Sequence, residues 1–304
     1  MIETANTRNV DESALAEDEK LDFFGSIPFF SVHLAALLAL FTGVSWVAVI
    51  ACLVTFWIRM FGITAGFHRY FSHRSFKTSR AFQFVLAYLG TMSAQHGPLW
   101  WASHDRLHHR YADTERDIHS PVVRGLWWSH VGWILCRKYV GYDEDVVKDL
   151  RKYPELRWLG RYHLVAPVSL AVAMFFLGVW LNARWPSLGT SGWQMLGWGV
   201  FISTVLGYHT TFLVNSLAHT SGRRRFNTRD DSRNNWWIAL LTLGEGWHNN
   251  HHRWPTSERQ GFYWWECDVT HYVLRVLSWF GVVWDLRSPP PRVYEEAKRL
   301  KQAA

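Results

Sequence analysis

Cysteine is scarce in this 304-residue chain. Its three cysteines, Cys52, Cys136 and Cys267, lie far apart and form no C-x2-C pair. That spacing excludes a disulfide framework and a cysteine-held zinc or iron–sulfur site. No C-x2-C-H pattern for haem attachment occurs either. Carboxylates are also outnumbered, with 25 Asp and Glu against 32 Lys and Arg. Seven of the acids fall within residues 1–25, opposed there only by Arg8 and Lys20. With few large apolar groups before Leu21, this segment is expected to be a disordered acidic tail. It lacks the basic start and apolar run of a cleaved signal, so the first apolar segment is expected to direct insertion itself.

Apolar side chains make up 49% of the chain and charged ones 19%, and the two are segregated. Residues 27–61 carry one formal charge, Arg59, and are long enough for two closely joined spans if the chain turns near Gly43-Val44-Ser45. Spans are therefore expected at about 27–43, 46–63, 162–181 and 193–217, the last carrying His209. Residues 82–99 are apolar but contain Gln95, His96, Gly97 and Pro98, which suits a buried or interfacial helix. Fifteen Lys and Arg lie between residues 64 and 161 and thirteen follow His219, whereas the 182–192 connection has only Arg184. The positive-inside rule then places both large polar regions and both termini in the cytoplasm. This topology, with anionic lipid, explains the net charge of +7 without nucleic acid. Many of the twenty tryptophans suit interfacial belts, while Trp100, Trp101 and Trp247 adjoin histidine motifs and are candidates to line a substrate path.

Those motifs are the most informative feature. His68 and His73 form H-x4-H, His104, His108 and His109 form H-x3-HH, and His248, His251 and His252 form H-x2-HH. A single histidine is more often a packed or surface residue than a ligand, but eight in three tight clusters point to shared metal binding. Asn215 and His219, an i,i+4 pair at the end of the fourth span, add a ninth imidazole and a ligand acting through water. His104 and Asp105 both stand close to His108 on a helix, so either the imidazole or the carboxylate can complete the set. Nine imidazoles exceed the needs of one metal, and two metals fit better. Imidazole suits iron, copper, nickel or zinc, so ligand type alone does not choose. A pair of redox metals beside apolar spans suggests oxygen chemistry on a lipid chain.

Through HRYFSH, H-D-R-L-HH, Asp117-Ile118-His119, VGWILCRK, NSLAH and GEGWHNNHH, from about residue 62 to about 285, the chain resembles the membrane-bound fatty acid desaturases of delta-9 acyl-CoA or acyl-lipid type. The resemblance implies an all-α integral membrane protein, with residues 26–304 forming four transmembrane helices and a cytoplasmic helical cap. It implies two iron ions that use O2 and two electrons to leave a cis double bond in a saturated fatty acyl chain. By position, His68, His73, His108, His109, His219, His248, His251 and His252 are the implied ligands, with Asn215 linked through water. One position departs: acyl-CoA enzymes of the family carry Asp then His before Arg-x-HH, and here the order is His104 then Asp105. Either His104 shifts register to ligate, or Asp105 supplies oxygen. Asp113, Asp117, Glu245 and Asp231 are candidates to orient the ligand rings. Arg106, Arg137 and Lys138 are candidate headgroup contacts, against the plainer reading of a basic patch beside anionic lipid. Trp101 is expected to line the substrate path. Arg223-Arg224-Arg225 can face lipid, an acidic donor or solvent. With no haem or iron–sulfur pattern, electrons must come from a separate partner of cytochrome b5, ferredoxin or rubredoxin type. Two other readings compete. One is a membrane diiron hydroxylase, which returns oxygen to the carbon. The other is a metal transporter, disfavoured because His33 and His209 are expected to have no chain of partners within the spans.

Overall fold

Apolar runs rich in Leu, Ala and Val fold as helices because a helix satisfies every backbone group internally, which lipid demands. The computed structural model describes residues 17–303. The expected first span is two short helices, α1 (Ile27–Ala36) and α2 (Leu38–Thr42). The ladder tightens where the Leu37 amide bonds Leu34 O at 3.0 Å. Ser45 caps α3 (Trp46–Phe61) by accepting from the Ala48 amide, and α3 continues without a break into a π-helical segment, Gly62–Ser72. The polar region that follows contains α4 (Arg80–Thr91), α5 (Pro98–Tyr111), α6 (Pro121–His130), α7 (Lys148–Arg151) and α8 (Pro154–Arg161). Next come α9 (Val165–Arg184), α10 (Gly192–Leu196) and, after a second π-helical segment at Gly197–Ile202, α11 (Ser203–Ser216). The chain ends through α12 (Trp236–Leu241), α13 (His248–Arg253), α14 (Val269–Trp279) and α15 (Pro291–Ala303). Among the described residues the only strands are β1 (Lys77–Thr78) and β2 (Val283–Trp284), paired antiparallel with Lys77 opposite Trp284.

Three helices are long and apolar enough to cross a membrane: Trp46–Ser72, Val165–Arg184 and Gly192–His219. At 1.5 Å per residue, Val165–Arg184 reaches about 30 Å, the thickness of a hydrocarbon core. Ile27–Thr42 is apolar but shorter, so the first of the four expected spans is not a full-length helix. Phe30, Leu34, Leu40, Phe41, Trp46 and Phe176 stand exposed, a surface that suits lipid and not water.

Close approach joins these helices. A Cβ on Gly62 would lie 2.4 Å from Gly90 N and from Leu89 C, so α4 packs directly on the end of α3. Arg59, the one charge expected within the first two spans, is 3% exposed. It donates to Thr55 O at 3.1 Å, to Thr204 Oγ1 at 2.6 Å and to Ser203 Oγ. Satisfied donors make this burial tolerable and tie α3 to α11. The histidines in the spans are also linked, contrary to expectation. His33 Nε2 lies 3.1 Å from His209 Nε2, His209 Nδ1 lies 3.0 Å from His130 Nε2, and His130 Nδ1 lies 3.0 Å from Ser216 Oγ. Each ring fills its neighbour's capacity, so α1, α11 and α6 are clasped together.

Of the stretch expected to be a loose tail, residues 1–16 lie outside the described residues. From residue 17 onward it is tied down. The Asp22 amide donates to Leu135 O at 2.8 Å, the Lys138 amide to Asp18 O at 3.0 Å, and Glu19 is buried among cations. Ordering this polar segment takes specific partners, and composition does not display them.

The Gly62 contact predicts that Gly62→Ala overpacks the α3–α4 crossing by about 1–3 kcal/mol and lowers the thermal unfolding midpoint in detergent. Gly207→Ala, with nothing within 4 Å of the added carbon, should leave that midpoint unchanged or raise it.

Candidate metal centre

The H-x4-H pair is made useful by the π-helix. Residues five apart face different ways on an α-helix, but a π-helix closes i→i+5 hydrogen bonds. Here the His73 amide bonds His68 O at 3.2 Å, and the two ring centroids lie 4.8 Å apart. On α5, His108 and His109 are neighbours about 100° apart around the axis, so they point into different places. On α13, His248 and His252 share a face as an i,i+4 pair while His251 turns away.

The result is two tetrads. His68, His73, His109 and His251 form one, and His108, His219, His248 and His252 the other, each with ligand atoms within 4.8 Å of one another. Carboxylates fix several ring orientations from outside. His68 Nδ1 meets Glu245 Oε2, His108 Nδ1 meets Asp117 at 3.0 Å, His219 Nδ1 meets Asp113 at 2.8 Å, and His252 Nδ1 meets Asp230 at 3.0 Å. An ionised carboxylate only accepts, so each Nδ1 carries the proton and each Nε2 turns a lone pair inward. Asp113, Asp117 and Glu245 thus stand where they were expected. Asp231 does not: its carboxylate accepts from Arg224 at 3.1 Å, and Asp230, one residue earlier, holds the ring.

These lone pairs have too few protons to share. His251 Nε2 lies 2.9 Å from both His68 Nε2 and His109 Nε2, and one proton between His251 and His109 satisfies only one of the two contacts. His73 Nε2 and Asp105 Oδ2 are 3.0 Å apart but not aligned for a hydrogen bond, and His252 Nε2 is buried with no partner. Imidazole nitrogens with one carboxylate oxygen form a donor set for a first-row transition metal, so the residues fit two metal ions. Burial, with the neighbouring rings, holds His109, His248 and His251 well below the ordinary imidazole range, and His252 at about 4. Those rings stay neutral and able to ligate. Burial acts the same way on His108, but Asp117 outweighs it and raises that ring to about 9, so a metal there must displace a proton.

His104 is drawn into neither tetrad. Its Nδ1 lies 2.9 Å from Trp100 O and its ring stacks on Trp100. Asp105 instead borders the first tetrad, with Oδ1 3.9 Å from His68 Nε2. His119 was overlooked as a site residue. It is buried 4.4 Å from the His108 ring and forms a third grouping with His108 and Asp117, a closeness that Asp117-x-His119 signals in hindsight. The polar residues between the metal-side histidines also have tasks. Asn249 Oδ1 accepts from the Arg225 and Phe226 amides, both at 2.7 Å, and Asn250 Nδ2 donates to Gln260 O at 2.9 Å. Together they anchor α13.

A cavity of about 610 Å³ reaches this centre. Ala171, Val200 and Phe201 line its part among the spans, and His68, His108 and His248 its inner end. Trp100, Trp101, His104, Asp105 and Asn215 also line it; Trp247 does not, its Nε1 being bonded to Cys267 O at 2.8 Å. No lysine or arginine lines the cavity among the described residues. The three basic candidates for headgroup contact are engaged elsewhere. Arg106 donates to Ser72 O, Phe71 O and Val146 O and pairs with Asp149 at 2.7 Å. Arg137 pairs with Asp22 at 3.2 Å and Lys138 with Glu19 at 2.7 Å. In the basic triple, Arg225 turns inward to Asn250 and Glu266.

Helices long and apolar enough to cross a membrane, with two sets of buried histidines that could hold metal beside a largely apolar cavity, are the features of a lipid-modifying oxidoreductase. The model of the fatty acid desaturase family matches residues 44–284. The chain is 35% identical over 277 residues to the sn-1 stearoyl-lipid 9-desaturase of Anabaena variabilis, covering 90% of this chain and 97% of that protein. It is 40% identical over 261 residues to the delta-9 desaturase-like 4 protein of Arabidopsis thaliana, covering 85% and 82%. It is 38% identical over 276 residues to the acyl-CoA C20 delta-5 desaturase of Anemone leveillei, covering 88% and 82%. The chain belongs to the fatty acid desaturase family and is an oxidoreductase of fatty acyl chains. That membership removes the transporter reading.

The donor set predicts that His109→Ala and His252→Ala, which remove a ring from different tetrads, each lower the transition metal bound per protein, measured by plasma mass spectrometry. Trp247→Phe should leave metal content unchanged.

Proposed function

We propose that the protein is an O2-dependent desaturase that places a cis double bond, at delta-9, in a saturated acyl chain. The observation that carries this reading is the single cavity that begins among apolar spans and ends on both tetrads. His68, His73, His109 and His251, with Asp105, would hold one iron, and His108, His219, His248 and His252 the other, with Asn215 acting through water. When bound, the two irons supply O2 activation with two electrons from outside. The chain's own residues do the rest. Ala171, Val200 and Phe201 hold the hydrocarbon against the centre, and fixing such a geometry can contribute roughly 7–11 kcal/mol by removing translational and rotational freedom. Trp101, 5.8 Å from the His68 ring, packs one wall and excludes water. Glu245, Asp117, Asp113 and Asp230 keep the ring protons on the outer nitrogens. The delta-9 position is supported by the names of two of the relatives.

In this reading Ile27–Thr42 is the fourth membrane element, inserted as a bent pair of short helices. The basic residues between 64 and 161 and after His219 support an orientation with the metal centre and both termini in the cytoplasm, within reach of an electron donor of cytochrome b5, ferredoxin or rubredoxin type.

Expression with a matched donor and a stearoyl substrate should yield product lighter by two hydrogens with the double bond at delta-9, located by mass spectrometry. Gain of one oxygen would identify a hydroxylase instead. Made separately, Asp105→Ala should lose metal and turnover, while His104→Ala keeps its metal. Full metal and activity in both variants would remove Asp105 from the ligand set.

A further inference from the structure

Residues 17–26 form a strap whose partners explain the missing headgroup cations. Besides the two amide bonds already described, Leu21 forms a bridge with Cys136, and Ser26 Oγ donates to Leu135 O at 3.2 Å. The strap and the segment it pairs with both reach the cavity wall, the strap through Gly25 and Ser26 and its partner segment through Ile134 and Leu135. Just beyond that wall Glu19, 9% exposed, gathers positive charge. Its two oxygens accept from Arg124 Nη1 at 2.9 Å and Nη2 at 2.8 Å, and Oε1 also accepts from Lys138 Nζ at 2.7 Å and Tyr139 OH at 3.3 Å. The Arg124 guanidinium stacks 3.7 Å from the Trp128 ring, which fixes its plane for the carboxylate.

We propose that Glu19 determines which acyl carrier this enzyme accepts: by occupying Arg124 and Lys138 it withholds cations from a phosphate-rich carrier such as CoA and favours a lipid with an uncharged headgroup. This rests on the acyl-desaturase reading above and goes further, to the chemistry of the carrier. A bidentate, charge-assisted pair shielded from water is strong, and a phosphate that takes over its cations strands a buried carboxylate. Arg137 matters less. Its side chain is 73% exposed, and an exposed pair such as that with Asp22 yields easily. With no lysine or arginine lining the cavity among the described residues, and with Arg124 and Lys138 held by Glu19, a polyphosphate head finds these two cations already neutralised, whereas a sugar or glycerol head needs none.

The test uses the full-length protein in lipid nanodiscs, with radiolabelled stearoyl-CoA and a radiolabelled stearoyl galactolipid as probes for equilibrium binding. In Glu19→Gln, affinity for stearoyl-CoA should rise roughly tenfold, about the strength of one charge-assisted hydrogen bond, while galactolipid binding serves as the unchanged reference. Lys138→Gln should have little effect alone and should cancel the gain in the Glu19→Gln background. Glu19→Asp, which restores the charge, should behave as the parent. KM for stearoyl-CoA should fall in Glu19→Gln with kcat unaltered. The proposal is overturned if Glu19→Gln leaves stearoyl-CoA affinity unchanged. It is also overturned if Lys138→Gln weakens stearoyl-CoA binding roughly tenfold in the otherwise unaltered protein, a result that needs no folded Glu19 variant. Because binding is read without turnover, absence of unsaturated product from either carrier would sink the desaturase reading and leave this result standing.

Discussion

The arrangement depends on hydrogen bonds that keep protons on the outside of the metal centre. Four carboxylates, Glu245, Asp117, Asp113 and Asp230, each accept a hydrogen bond from the Nδ1–H of one ring and so turn the opposite nitrogen inward as a lone pair. Crowded lone pairs repel, and only a cation makes that crowding favourable. Burial then serves two ends. It removes water that would solvate the lone pairs, and it keeps His109, His248, His251 and His252 neutral so that they remain ligands.

The histidines of that centre were legible in the sequence because they cluster: H-x4-H, HH and H-x2-HH set several imidazoles within a few residues of one another. What was not legible depends on backbone geometry or on partners far along the chain. H-x4-H is out of phase on an α-helix, and nothing in Gly62–Ser72 announces the π-helix that brings His68 and His73 together. Asp231 and Asp230 are chemically equivalent as letters, and a turn decides which reaches His252. Arg106, Arg137 and Lys138 looked free because Asp149, Asp22 and Glu19 are tens of residues away or more. The same distance hid the partners of His33 and His209. Composition marked residues 1–25 as loose, yet the carboxylates that made them look loose hold residues 17–26 in place.

Three of the four expected spans coincide with helices long and apolar enough to cross a membrane, with ends shifted by up to nine residues. The departure at Ile27–Thr42 has a local cause, the tightened turn at Leu37, and a spatial consequence. Phe29 and Val32 from α1 face the cavity that α9 and α11 also line, so α1 closes one side of a largely apolar chamber. Arg59 and the His33–His209–His130 series are polar joints in the same region. Each is fully engaged by neighbouring helices, which is how polar groups persist where water is absent.

Two rods carry rings for both tetrads. His109 and His108 leave adjacent steps of α5, and His251 and His252 adjacent steps of α13, one of each pair serving each tetrad. In the two-metal reading proposed above, the distance between the ions would therefore be set by the pitch of two helices. An ion held on one side would order rods that the other side needs, which would lower the entropy lost by the second arrival. On that reading, the second ion would load more readily than the first.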